Sequence, residues 1–240
     1  MKSIMKPKVR GFMCVSAHPE GCAANVKEQI DYVKKNTLTA AMPKRVLVIG
    51  SSTGYGLSSR ITAAFSGGAS TIGVFFEKEA TGKRPASAGW YNSAAFHAHA
   101  EEEGLYAKSF NGDAFSNTMK SQVIETIKED LGQIDLIIYS LGAPRRQHPV
   151  TGVVHSSSLK SLRSGMSRTT IDTDKKVVKE CAIDVASQQE IDDTVAVMGG
   201  EDWELWTDAL LGANLLSPDC LNIAYSYIGP QVTQPIYRNG

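Results

Sequence analysis

Glycines at positions 50, 54 and 56 punctuate the stretch "VIGSSTGYGLSSR", directly after an apolar run and directly before a helix-like one. Glycine lets a chain turn tightly and lets backbone approach a pyrophosphate, whose charge is met by the first amides of a helix. In a strand–turn–helix setting such a triplet predicts a dinucleotide site, with a purely structural turn as the alternative. The spacing is GxxxGxG rather than GxGxxG, the variant found in short-chain dehydrogenase/reductase folds.

Glu77 closes the next apolar run, "TIGVFFE". An acid at the end of a second strand can accept hydrogen bonds from adenosine ribose hydroxyls and would repel a 2′-phosphate. That predicts NADH rather than NADPH, although Lys78, Lys83 and Arg84 follow closely and blunt the repulsion. A solvated strand-end acid is the plainer alternative. Asp113, in "NGDAF", falls where a third strand ends, the position at which short-chain folds place an acid near the adenine. "YSLGAP" (139–144) closes a fourth run with small residues, as backbone passing close to a cofactor requires.

The elements that must position these residues follow from periodicity. "RVLVIG" (45–50), 71–77, 106–113 and 134–140 read as strands, the first continuously apolar and so buried on both faces, the second likewise buried. Helical patterns lie between them at 57–65, at 90–104 with Gly104 as stop signal, and after a Ser116 cap up to Gly132. An earlier helix, 23–35, puts Val26, Ile30 and Val33 on one face. Alternation of this kind predicts a Rossmann-type doubly wound parallel α/β sheet, with Gly50, Glu77, Asp113 and Ser140 along its carboxyl edge. The rhythm breaks over 141–187, an excursion rich in Ser, Thr, Lys and Arg. It returns in two helical segments split at Gly199-Gly200 and a fifth strand at 220–229. One NAD-binding domain over 1–240 is expected, with 1–40 as an N-terminal extension.

Composition narrows the function classes. Lys plus Arg and Asp plus Glu both count 25, so no global field attracts nucleic acid or an anionic membrane. Cys14, Cys22, Cys181 and Cys220 form no CxxC pair and read as reduced thiols. The basic start lacks a signal peptide's apolar run, and no stretch approaches the length of a membrane span. The expectation is a cytoplasmic protein with no nucleic-acid partner and no stable membrane association.

"HPEGC", "GSSTGYG", "FFEK", "AGWYN", "YSLGAPRR", "VMGGEDWELW", "AYSYIG" and "PIYRNG" together resemble the FabV-type enoyl-acyl-carrier-protein reductases and their trans-2-enoyl-CoA reductase relatives, along the whole chain. The resemblance implies NADH-dependent reduction of the trans-2 double bond of an enoyl thioester in fatty-acid synthesis, on carrier protein or coenzyme A. It places Gly50, Ser51, Ser52, Thr53, Gly54 and Tyr55 against the cofactor diphosphate and Phe76 with Glu77 beside the adenosine. Asp113, Ala114, Leu141 and Gly142 complete the groove; Gly142 is usually Ala in this family. It implies Tyr227 as a substrate contact and Tyr237 as the catalytic tyrosine, stabilising an enolate. The family pairs that tyrosine with a later lysine, and no lysine follows Lys179 here. The chain is therefore expected to be an N-terminal portion, cut after the fifth strand and inactive as it stands, with self-association possible through the exposed sheet edge.

Two competing functions are a short-chain carbonyl reductase, which would need a Tyr-x-x-x-Lys pair that is absent, and a non-catalytic NADH-binding module. Smaller features read plainly. Pro19 and Gly21 argue against a metal pair at His18 and Cys22, and His97 and His99 sit on a polar helix as solvated residues. "APRRQH" (143–148) suits either a phosphate contact or a solvated loop. "EDWELWTDALL" suits core packing or an acyl-chain contact.

Overall fold

The computed structural model describes residues 7–10, 13–82, 84–227 and 229–230. In chain order its elements are β1 (Val9–Arg10), β2 (Met13–Cys14), α1 (Pro19–Lys35), β3 (Arg45–Ile49), α2 (Gly54–Ile61) and β4 (Ser70–Phe75). Then come α3 (Ala88–Glu102), β5 (Ala107–Asn111), α4 (Asn117–Thr126), β6 (Ile134–Tyr139), β7 (Arg145–Gln147) and β8 (Val154–Ser156). The last are β9 (Met166–Asp172), β10 (Val177–Ile183), α5 (Gln188–Met198), α6 (Glu201–Gly212) and β11 (Leu216–Ala224). Helices α2 and α4 each run on through a wider π turn, Thr62–Ser66 and Ile127–Leu131.

The chain divides into two compact units, one of residues 16–141 and 203–225, the other of 7–15, 142–202 and 226–230 among the described residues. The first holds a five-stranded parallel sheet in the order β11-β6-β3-β4-β5. This is a doubly wound sheet whose order reverses between β3 and β6, the place where such sheets leave a crevice at their carboxyl ends. Side chains of β3 alternate as strand geometry demands. Leu47 and Ile49 pack with Val123 of α4 and Trp206 of α6, while Val46 and Val48 pack with Ala63 behind α2. Burial on both faces explains the unbroken apolar run.

On the second face Val26 and Ile30 of α1 join Leu57 and Ile61 of α2 and Phe96 of α3. Helix α1 starts where Pro19 follows His18, whose Nδ1 accepts from Gly21 N at 3.0 Å, and Lys34 and Lys35 complement the dipole in its last turn.

The strands stop earlier than the apolar runs predict. The ladder of β4 with β5 ends at Phe75 opposite Asn111, so Glu77 lies two residues beyond the strand. The fifth strand likewise covers 216–224 rather than 220–229, and it is an edge strand with Leu221 and Ile223 exposed.

In the second unit the expected excursion resolves into two antiparallel hairpins, β7 with β8 and β9 with β10. Helix α5 opens with a reciprocal capping box between Ser187 and Glu190, worth about 1 kcal/mol.

Candidate functional site

The turn after β3 is built by close approach. Gly50 has φ +88°, and its amide and that of Ser51 both donate to Val74 O, at 2.8 and 3.0 Å. A Cβ on Gly50 would stand 2.2 Å from Ser140 O, and one on Gly56 would stand 2.0 Å from Gly50 O. No other residue type fits either position without moving backbone. The first turn of α2 is thereby pressed onto the ends of β3 and β6.

Thr53, the N-cap of α2, makes no side-chain capping bond, and the first turn carries no acid. The helix therefore presents unpartnered amides and an uncompensated positive end. Space above Gly54 is open, with nothing within 4 Å of where a Cβ would stand. This donor set fits a diphosphate group.

Glu77 and the loop are tied together. Ser52 Oγ donates to Glu77 Oε1 at 2.6 Å, and Asn92 Nδ2 on α3 donates to Ser52 O at 3.1 Å. Phe76 is strongly exposed beside it. Across the strand end, Glu77 N donates to Asn111 Oδ1 at 2.7 Å and Asn111 Nδ2 donates to Glu77 O at 3.0 Å.

Asp113 follows β5 and shapes its own turn, accepting from Phe115 N at 2.9 Å. Ser116 then caps α4 by accepting from Met119 N. Ala114 is buried, and its carbonyl accepts from Trp206 Nε1 at 3.1 Å and Lys120 Nζ at 3.2 Å. Ser140 N donates to Ile49 O at 2.8 Å, setting Leu141 next to the glycine turn.

The first unit thus brings Gly50, Ser51, Ser52, Thr53, Gly54 and Tyr55 to one sheet edge with Phe76, Glu77, Asp113, Ala114 and Leu141. Gly142 and Tyr227 belong to the second unit, where Tyr227 is half exposed. Tyr237 lies outside the described residues. Tyr225, which the motif reading passed over, meets Ser59 Oγ at 2.6 Å and packs edge-on against Tyr55.

Behind the loop sits a buried polar cluster that the sequence pattern hides. Arg60 of α2 is 1% exposed and has no carboxylate partner among the described residues. It donates to Thr71 Oγ1 (3.1 Å), Ser109 Oγ (2.7 Å) and Lys108 O (2.7 Å), and stacks 4.4 Å from the Phe96 ring centre. Burial lowers its pKa to about 9. His97 is bonded through Nε2 to Ser109 Oγ at 2.7 Å, and burial, aided by the Arg60 charge, lowers its pKa to about 4. His97 is therefore a packed, neutral residue rather than the solvated one expected. The available signal for Arg60 was its place on the apolar stripe between Leu57 and Ile61.

Two other expectations resolve. Trp206 is completely buried in the core, so the aromatic segment serves packing there. In "APRRQH", Arg146 is buried and bonded to Ala196 O at 2.6 Å and to Glu201, which leaves Arg145 as the exposed arginine.

Two family models match the chain. One, described as the NAD(P)H binding domain of trans-2-enoyl-CoA reductase, covers residues 4–82; the other, described as the trans-2-enoyl-CoA reductase catalytic region, covers 84–240. A curated relative from Opitutus terrae, named an NADH enoyl-acyl-carrier-protein reductase, is 59% identical over 237 residues, 99% of this chain and 60% of its own. The chain thus spans about 60% of the length of the curated relatives it matches. The crystal structure of Treponema denticola trans-2-enoyl-CoA reductase in complex with NAD matches with TM-score 0.94 at 47% identity, over 99% of this chain and 61% of that one. A short-chain dehydrogenase/reductase of Brucella melitensis, named a glucose/ribitol dehydrogenase, matches at TM-score 0.50 and 14% identity, over 84% of this chain and 66% of its own. That last likeness concerns the fold alone.

Proposed function

The chain belongs to the trans-2-enoyl-CoA reductase family, and from that premise we propose that it builds the NADH groove of a reductase acting on the trans-2 double bond of enoyl thioesters. One observation carries the reading: the ends of β3, β4, β5 and β6 meet around an uncapped helix start, with the Glu77 carboxylate bonded to Ser52 of the same loop. The loop from Gly50 to Tyr55 holds the diphosphate through the unpartnered first-turn amides of α2, while the Gly50 and Ser51 amides brace the turn on Val74 O. Phe76 and Glu77 flank the adenosine, and Asp113, Ala114 and Leu141 complete the groove within this unit. Bound there, a reduced nicotinamide supplies hydride to the β-carbon of the enoyl thioester.

The chain's own chemistry falls to its tyrosines. Negative charge develops on the thioester oxygen, and the Tyr237 hydroxyl is the donor assigned to stabilise it. An ordinary phenol has a pKa of about 10, so a nearby ammonium strengthens this donor. No lysine follows Lys179 in these 240 residues. Tyr227 contacts the acyl thioester, carried on coenzyme A or carrier protein. The four free cysteines accord with a reducing cytoplasm, and the exposed edge of β11 offers a second copy a surface to pair with.

Turnover is the test. Crotonyl-CoA or an enoyl-carrier protein is mixed with NADH and with this sequence carried in a protein of its relatives' full length, and the reaction is followed at the nicotinamide absorbance. NADH consumption that falls about 100-fold in Tyr237→Phe, with NADH affinity unchanged, is the expected result. Consumption indifferent to Tyr237→Phe, or alcohol oxidation in place of enoyl reduction, overturns the reading.

A further inference from the structure

We infer that Asn111 is the positioning residue that sets the dinucleotide preference of this groove, acting through Glu77; the inference rests on the NADH reading above. Glu77 stands beyond the last rung of the β4–β5 ladder, so no strand holds its backbone. Its neighbour Lys78 is secured separately, by Lys78 N to Ser87 Oγ at 3.0 Å and Ser87 N to Lys78 O at 2.9 Å. Among the described residues the backbone of Glu77 itself has one partner. The Asn111 carboxamide accepts from its N–H and donates to its carbonyl, at 2.7 and 3.0 Å. A side chain at the end of an edge strand thus supplies one extra rung.

The carboxylate beyond that rung is fixed on one oxygen. Oε1 accepts from Ser52 Oγ at 2.6 Å and packs on the first turn of α3, where a Cβ on Gly89 would stand 2.0 Å from it. Oε2 has no hydrogen bond among the described residues and is the acceptor left for a ligand. With Oε1 occupied and the main chain clamped, Oε2 is presented in one place. A vicinal diol donates to such an oxygen, whereas a phosphomonoester on the same ribose repels it. Discrimination therefore depends on how firmly Glu77 is held. Asn111 does the holding without touching the ligand, because both functional ends of its carboxamide are used on Glu77.

Ser52 touches both halves of the site. Its hydroxyl is held by Glu77 but its carbonyl by Asn92, so the diphosphate loop keeps an anchor of its own when Glu77 shifts. Loss of Asn111 is expected to weaken the ligand bearing free ribose hydroxyls and to leave the 2′-phosphorylated one, which Glu77 opposes, nearly unchanged. A general loosening of the fold would weaken both alike.

The experiment measures the dissociation constants of NADH and NADPH for the wild-type chain and for Asn111→Ala, by nicotinamide fluorescence. Hydrogen exchange at the Glu77 amide is measured without ligand. The expected result is a roughly tenfold weaker NADH complex, the size of one charge-assisted hydrogen bond lost. NADPH binding should stay within about twofold, and the Glu77 amide should exchange faster. Asn111→Asp, which keeps the acceptor and loses the donor, should fall between and serves if the alanine variant does not fold. An unchanged NADH-to-NADPH ratio in whichever variant folds, or an unchanged Glu77 exchange rate, overturns the inference while leaving the NADH reading intact. Wild-type chain that binds neither dinucleotide overturns the NADH reading itself, and the inference with it.

Discussion

Acidification should destabilise the fold through His97 before the carboxylates titrate. Ser109 Oγ accepts from Arg60 Nη1 and meets His97 Nε2 at 2.7 Å. A proton added to the ring would place a second, poorly solvated cation beside the buried guanidinium, with Phe96 closing the other side. The folded pKa is about 4 against 6.5 for a free imidazole. Because the folded value is the lower one, the unfolded chain binds more protons between the two, and stability falls as pH drops from 6.5 towards 4. At pH 5 the full shift corresponds to about 2 kcal/mol, reduced to about 1 kcal/mol because the ring is partly open to solvent. Urea unfolding at pH 7.5 and pH 5 on wild type and His97→Gln reads this directly, since glutamine keeps a partner for Ser109 and cannot titrate. Wild type should lose about 1 kcal/mol more than the variant, a midpoint difference of roughly 0.3–0.5 M urea. Parallel pH dependences in the two proteins would refute the reasoning.

Other outcomes follow from the same contacts. Trp206→Phe removes the indole donor to Ala114 O and leaves a small void in the core. It should cost about 2 kcal/mol, a fall of ~6 °C in melting temperature by calorimetry. Asp135→Asn loses the paired bonds to Arg45 Nε and Nη2 at the opposite end of the sheet, at 3.1 and 2.6 Å. It should cost about 1 kcal/mol at pH 7 and leave dinucleotide affinity alone. The hydrogen bond from Arg45 holds the Asp135 pKa below its ordinary value of 3.8. Its contribution is therefore present above that value and lost as pH falls through the folded pKa, so the two urea curves should converge in acid.

The parallel sheet was legible because its central strands are buried on both faces, and double burial writes itself as runs such as "RVLVIG". The glycine turn was legible for a different reason: Gly50 and Gly56 stand where backbone oxygens leave no room for a Cβ. Strand ends were less so, since a ladder stops when its neighbour does, and nothing in "TIGVFFE" says that β5 stops at Asn111. Arg60 and Asn111 escaped notice because their partners are far away in sequence, and His97 was read as solvated because nothing local shows that it packs on Ser109 and Phe96. Ser109 is 49 residues from Arg60, and Glu77 is 34 from Asn111. Residues 141–187 lacked a clear period because β9 and β10 are exposed on nearly all their side chains, and an unburied hairpin needs no apolar alternation.

The central claim is that the turn between β3 and α2 holds a nicotinamide dinucleotide. Titrating the wild-type chain and Gly56→Ala with NADH, with folding of each verified by circular dichroism, tests it most directly. A Cβ at position 56 would press 2.0 Å from Gly50 O and must displace the loop. The account predicts saturable, one-site NADH binding in wild type and at least tenfold weaker binding in a folded Gly56→Ala protein. Equal affinity in the two folded proteins, or no saturable binding in wild type, would contradict it.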